Sequence, residues 1–288
     1  MSTPAPTGAT PANKKNPLRP ANIAKALGIA LLLLYALFPF YWMLTTAVDT
    51  HANSRGAGIL PSGFTLDHFK TVLIDANFFE YIKVSLIVAA GTVLLSGAIA
   101  LFAAIGVARY RFRLRTVVLV LVLMVQMVPL EALVIPLFLQ ARTLNMLNSL
   151  LGLVIVYLAF SLPFAIWNLK GFVAAVPKEL EEAAYIDGAG WFRMFFSILL
   201  PLVAPGLVAT SVFAFITAWN EFIFALTFMT DSSKYTVGVG LRTFFTQNTA
   251  DWGPIMAAST IIALPVVIFF VLVQRQLSSG LTAGAVKG

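Results

Sequence analysis

Apolar residues run along this chain in long uncharged blocks. They show neither the alternation of a half-buried strand nor the one-sided stripe of a soluble helix. A bilayer core of about 30 Å takes roughly 20 such residues as a helix. Six blocks reach that length: residues 26–48, 84–108, 116–139, 147–169, 202–229 and 254–274. The third is interrupted only by Glu131, Pro129 and Pro136, and the fifth contains Glu221. Pro163 and Pro265 fall inside the fourth and sixth blocks, where a ring clash and a missing N–H should kink a helix. Such kinks serve either gating or simple bundle fit.

Composition agrees with the pattern. Of 288 residues, 59% are hydrophobic and 11% charged, against about a quarter charged in soluble domains. Mean hydropathy is +0.90. The expected class is therefore an all-α, polytopic membrane protein with six transmembrane helices. Residues 1–22 are expected to be a disordered cytoplasmic tail, since the first twenty hold five prolines among Ala, Ser and Thr. Residues 23–274 form the membrane domain, and 275–288 a C-terminal tail. In the polar stretch after the first block, a short helix is expected from Asp67 to Ala76 with Thr65 as its cap.

Charge sets the orientation. Arg55, Lys70, Lys83, Arg142, Lys234 and Arg242 fall on one side, and the other thirteen of the 19 Lys and Arg on the opposite side. The richer side is cytoplasmic, which puts both termini inside a multi-pass inner-membrane protein. Arg109, Arg111, Arg113 and Arg115 read either as a topological anchor or as a site for anionic lipid. The net charge of +7 is explained by anchoring, so nucleic acid is not expected as a partner.

Motifs for covalent chemistry are missing from the sequence. There is no G-x-x-x-x-G-K-[ST] phosphate loop, and no lysine follows a glycine. With no cysteine, and with His51 and His68 seventeen residues apart, no metal motif forms. The chain is not expected to be an enzyme. Trp219, Asn220, Glu221 and Glu131 are candidate lining for a transport path, because intramembrane polar groups face cavities or partners. An ordinary interfacial position is the competing reading for each.

The segment 170–201, between the fourth and fifth blocks, is the most informative. Pro177 suits a first helical position, acids follow in the first turn, and Gly188 suits a left-handed cap. Leu180, Ala183 and Ala184 are expected on one face. A second helix over 191–200 should lead back toward the bilayer at Pro201. An acidic helix on an anionic leaflet fits a protein partner better than lipid.

Glu182-Ala183-Ala184, then Gly188, then nine residues to Ile198-x-Leu200-Pro201, resembles the EAA loop of ABC importer permeases. Trp219-Asn220-Glu221-Phe222 and the ending Gly280-Leu281-Thr282-Ala283-Gly284-Ala285-Val286-Lys287-Gly288 are similar to the carbohydrate-uptake branch, of MalG type. The resemblance covers roughly residues 20–288. It implies a type I ABC importer permease fold and transport of a sugar or oligosaccharide. It implies docking on an ATPase through Glu182, Ala183, Ala184, Asp187, Gly188 and Pro201, and a tail in which Leu281, Thr282, Gly284 and Lys287 reach the ATPases. The implied partners are a second homologous permease, two ABC ATPase subunits, an extracellular solute-binding protein and membrane lipid. ATP and Mg would sit on the ATPases, with no cofactor in this chain.

Overall fold

The computed structural model describes residues 20–54, 58–245 and 250–285, and among these no strand forms beyond two isolated bridges. The long helices are α1 (Pro20–Ala47), α3 (Phe78–Arg109), α6 (Leu150–Ala175), α9 (Leu200–Asn220) and α12 (Trp252–Ala285). Between α1 and α3 lies α2 (Asp67–Lys70). The remaining helices are α4 (Arg115–Val125), α5 (Val134–Thr143), α7 (Lys178–Ile186), α8 (Trp191–Met194), α10 (Ile223–Phe228) and α11 (Val237–Leu241).

Five helical runs are long and apolar enough to cross a membrane, and the pair α4 and α5 makes a sixth if taken together. That pair is bent by 93°. The bend has a local cause: Pro129 lacks an N–H and disfavours helical backbone at Val128. The third apolar block is therefore a broken span. Pro163 and Pro265, by contrast, lie inside helices that remain continuous.

Hydrophobic burial cannot drive helices together in lipid, so close packing must. The inward face of α3 shows how. Ser85, Ala89, Thr92, Ser96, Ala100 and Ala104 are buried at helical spacing, and α3 packs along both α6 and α9. At the α6–α9 crossing, a Cβ on Gly206 would run into the ring of Phe172. Only a glycine lets the two backbones approach this closely. By contrast, α1 touches mainly α12 and stays exposed from Ile23 to Tyr41.

The buried side chains form two cores, one toward each end. One gathers Phe78, Tyr157, Trp219 and Phe224 with their neighbours. The other gathers Ala100, Leu169, Val173, Ala184, Phe195 and Leu199. The second core lies at the α7 end of the molecule.

Several boundaries differ from the sequence expectation. The fifth block does not begin afresh at Pro201, because 191–220 is one helical run. A π turn over Phe195–Leu199 includes Ser197, the residue whose carbonyl Pro201 would otherwise strike, so the wider turn absorbs the proline. That run stops at Asn220, where Glu221 turns extended with φ −69° and ψ 129°. The loop helix starts at Asp67 as expected, but a π turn over Thr71–Asp75 completes it. Thr65 Oγ1 accepts from the Asp67 backbone N–H at 3.1 Å. The N-terminal tail lies outside the described residues apart from the start of α1. Beyond residue 274 the backbone stays helical to Ala285.

Candidate functional site

The nine residues of α7 leave the end of α6 through Val176 and Pro177, both extended. Pro177 precedes the first turn rather than opening it. The helix stops in a full Schellman turn. Gly188 N–H donates to Tyr185 O at 3.1 Å, and Ala189 N–H to Ala184 O at 2.9 Å. Gly188 sits at φ +80°. A Cβ there would meet nothing within 4 Å, so backbone conformation and not space requires the glycine. Asp187 caps the helix and is exposed.

The two faces of α7 differ. Glu179, Glu182, Ala183 and Ile186 share one arc at i, i+3, i+4 and i+7, and all are exposed. Ile186 is 87% exposed. Glu182 carries no ion pair among the described residues. Ala184 points the other way, into the second core. The expectation of Leu180, Ala183 and Ala184 on one face is thus corrected. Leu180 and Ala183 stay outside while Ala184 is buried.

What sets this rotation is Glu181. Its Oε1 accepts from Arg109 Nε at 2.7 Å and lies 2.6 Å from Arg109 Nη2. Nη2 also donates to the Val176 carbonyl at 3.0 Å. The two side chains are 9% and 13% exposed. Arg109 is therefore not part of a free basic cluster. It ties the last residue of α3 to the end of α6 and to the middle of α7. Arg111 and Arg113 remain exposed.

The polar candidates deeper in the chain separate into different roles. Glu221 ends α9 and caps α10: Oε1 accepts from Phe224 N–H at 2.8 Å and Oε2 from Ala225 N–H at 3.0 Å. The hydroxyl of Tyr157 donates to Oε2 at 2.6 Å. A carboxylate at a helix start satisfies otherwise orphaned donors, so Glu221 holds a helix break in place. Trp219 is 2% exposed and stacks on Phe215 at 5.6 Å. It is a core residue, because its side of α9 faces inward. Asn220 is exposed, with its amide on the Ile216 carbonyl at 3.0 Å. Glu131 is exposed in the turn Leu130–Leu133 of the bent span. The three consecutive residues Trp219, Asn220 and Glu221 thus face different surroundings, and Glu131 lies in the bent span.

The structure also forms a groove of about 220 Å³ between the bend, α6 and α9. Gln126, Phe160, Phe164, Phe213 and Thr217 are among its walls, and the Phe164 and Phe213 rings lie 4.0 Å apart. Phe213, Ile216, Thr217 and Asn220 share one helical face outside the core, a spacing readable from sequence once the core side is known. Pro201 sits inside the continuous run and is exposed. The backbone at Leu281, Thr282 and Gly284 belongs to α12, their side chains are outside the description, and Lys287 lies outside the described residues.

At the opposite end, Asn148 acts as a clamp. Its Oδ1 accepts from Thr230 and Asp231 N–H at 2.8 and 2.9 Å, and Nδ2 donates to Thr230 Oγ1 at 2.8 Å. It sits at φ 55°, a region Asn tolerates. Asp231 has its carboxyl held below the ordinary value, first by the Ser233 backbone N–H and then by the Ser233 hydroxyl. Nearby, Asn53 receives the Trp252 N–H at 2.7 Å and donates to Asp251 at 3.0 Å. Residues the sequence places on the same side of the membrane thus meet in the fold, at both ends.

With bent span, broken fifth span and projecting α7 in view, the class is a membrane-embedded permease. Residues 96–282 match the family described as binding-protein-dependent transport system inner membrane component, and the chain belongs to that family. It is 43% identical over 260 residues to the diacetylchitobiose uptake system permease protein DasC of Streptomyces coelicolor, covering 90% of this chain and 94% of that one. It is 38% identical over 265 residues to the trehalose/maltose transport system permease protein MalG of Thermococcus litoralis, covering 91% and 95%. Its fold matches a chain of a bacterial ABC transporter that imports the acidic polysaccharide alginate. That match has a TM-score of 0.77 and 21% identity, covering 92% of this chain and 99% of that chain. The fold is thus the type I ABC importer permease fold, and the chain is a multi-pass membrane protein.

Proposed function

We propose that this chain is one permease half of an ATP-driven importer for a disaccharide or short oligosaccharide. The observation that carries the coupling role is the exposed arc of α7. Glu179, Glu182, Ala183 and Ile186 present two carboxylates, a small residue and an apolar knob on a helix fixed at both ends. Such a surface fits a groove bearing a basic group on a partner. The partner is an ATPase subunit. ATP and Mg reside there, and the lysine and arginine distribution supports a cytoplasmic α7 end.

The cargo class is supported by the relatives, which are uptake systems for diacetylchitobiose and for trehalose and maltose by name. The groove at Phe160, Phe164 and Phe213 supports it chemically, since aromatic faces beside a few polar groups suit sugar rings. A second homologous permease completes the path, and an extracellular binding protein delivers the sugar to the opposite end. Glu182, Ala183, Asp187 and Gly188 shape the ATPase contact from outside, and Ala184 supports it from within. Arg111 and Arg113 face the lipid headgroups of the inner leaflet.

A stand-alone, ion-coupled carrier would need ionisable relays within the bundle. Glu221 is already committed to capping α10. The decisive experiment is purification of the tagged chain from gently solubilised membranes, followed by vesicle uptake of labelled diacetylchitobiose, maltose and trehalose. Co-purification of an ATPase with a second permease, and ATP-dependent accumulation of one of these sugars, is expected. Uptake by the chain alone without ATP would overturn the reading.

A further inference from the structure

We propose that Arg109 is a positioning residue for transport: its ion pair with Glu181 makes α7 and α3 move as one body. The inference rests on the importer reading above and adds a residue to it.

Without Arg109, α7 is weakly held. It has nine residues, an extended Val176–Pro177 joint before it and a Gly188 turn after it. Its only buried side chain is Ala184. With Ala184 as its one small apolar anchor, the helix has little else to resist rotation under load. Arg109 removes that freedom. One guanidinium holds Glu181 through Nε and Nη2, and the Val176 carbonyl through Nη2. It therefore fixes both the rotation of α7 and its distance from α6.

Glu181 and Glu182 are adjacent, about 100° apart around the helix, one held by Arg109 and the other exposed, and this places the pair on the line of force. A push on the outward arc at Glu182 and Ile186 meets the inward stop at Glu181 one residue away. From Arg109 the load enters α3, which packs along α6 and α9 through small residues. Those two helices carry Phe160, Phe164, Phe213 and Thr217, the walls of the groove. Close-packed helices shift as rigid units rather than deforming. A planar guanidinium with several donors in a fixed fork suits such a joint better than a lysine would.

The chain has no cysteine, so introduced cysteines are unique within it, and the complex is assembled after the purified chain is labelled. In the full complex, spin labels at Tyr185→Cys on α7 and Ile99→Cys on α3 would be compared before and after vanadate trapping of Mg-ATP. With Arg109 in place the separation stays constant. In Arg109→Gln it shifts by roughly 2 Å or more, the scale of helix displacement at interfaces, while ATP hydrolysis persists. Exchanging the charges, Arg109→Glu with Glu181→Arg, restores the constant separation. If Arg109→Gln does not accumulate in the membrane, Arg109→Lys is read the same way and gives a smaller shift. A separation that stays constant in the substituted chain overturns the inference alone. An unsubstituted chain that brings down no ATP-hydrolysing partner overturns the importer reading and the inference with it.

Discussion

The two ends of this bundle are closed by different chemistry. At the α7 end three elements meet on one buried ion pair, Arg109 with Glu181. At the other end the joints are spread over several acceptors that do not depend on an opposite charge. Asn148 holds the loop after α10, Asn53 holds the start of α12, and Glu221 holds α10 itself. There, the Lys83–Glu80 pair is exposed and lies within α3, so it joins nothing. A concentrated joint transmits displacement well and fails as a unit. A distributed joint loses one bond at a time.

That contrast can be tested by the size of the damage, read as thermal or denaturant unfolding of the purified chain. Glu181→Ala should cost most, about 3–5 kcal/mol, because it leaves the Arg109 charge buried without a partner. Asn148→Ala should cost about 1–3 kcal/mol, since its bonds are neutral and the loop can rehydrate. A loss as large as that of Glu181→Ala would erase the distinction between the two ends. Gly188→Ala should cost about 1–2 kcal/mol from the left-handed backbone alone, and a neutral result would show that the turn can flip.

Glu182→Lys sharpens the comparison within a single helix. Its stability should change by less than about 0.5 kcal/mol, because the side chain is exposed and unpaired. Uptake and ATPase co-purification should nevertheless be lost. The smallest effect is expected at Asp231. Its lowered carboxyl favours the folded state above the ordinary carboxylate range, and that contribution disappears as pH falls through the lowered value. Asp231→Asn should lower stability slightly at neutral pH, leave it unchanged in acid, and flatten the pH dependence between the two.

Sequence reading reached different depths in different segments. The spans were legible because bilayer thickness imposes a length on any uncharged helix. The α7 turn was legible because Pro177 and Gly188 each have a restricted backbone role. The stop at Glu221 was not. A carboxylate inside an apolar run looks like lining for a path, and nothing in the run shows that it caps the helix three residues on. The burial of Trp219 was not legible either: Trp beside Asn suits a sugar, yet the ring lies in the core, stacked on Phe215.

The sequence alone was enough to establish an all-helical membrane protein, the apolar runs long enough to cross, and where an acidic helix projects. These follow from local rules of hydropathy, charge and backbone freedom. Only the tertiary structure decided which face of that helix is available. Glu181 and Glu182 are the same residue type one position apart, and the difference between them is made by Arg109, 72 residues earlier in the chain. A pairing at that separation depends on how α3 and α6 pack, and no local pattern encodes it.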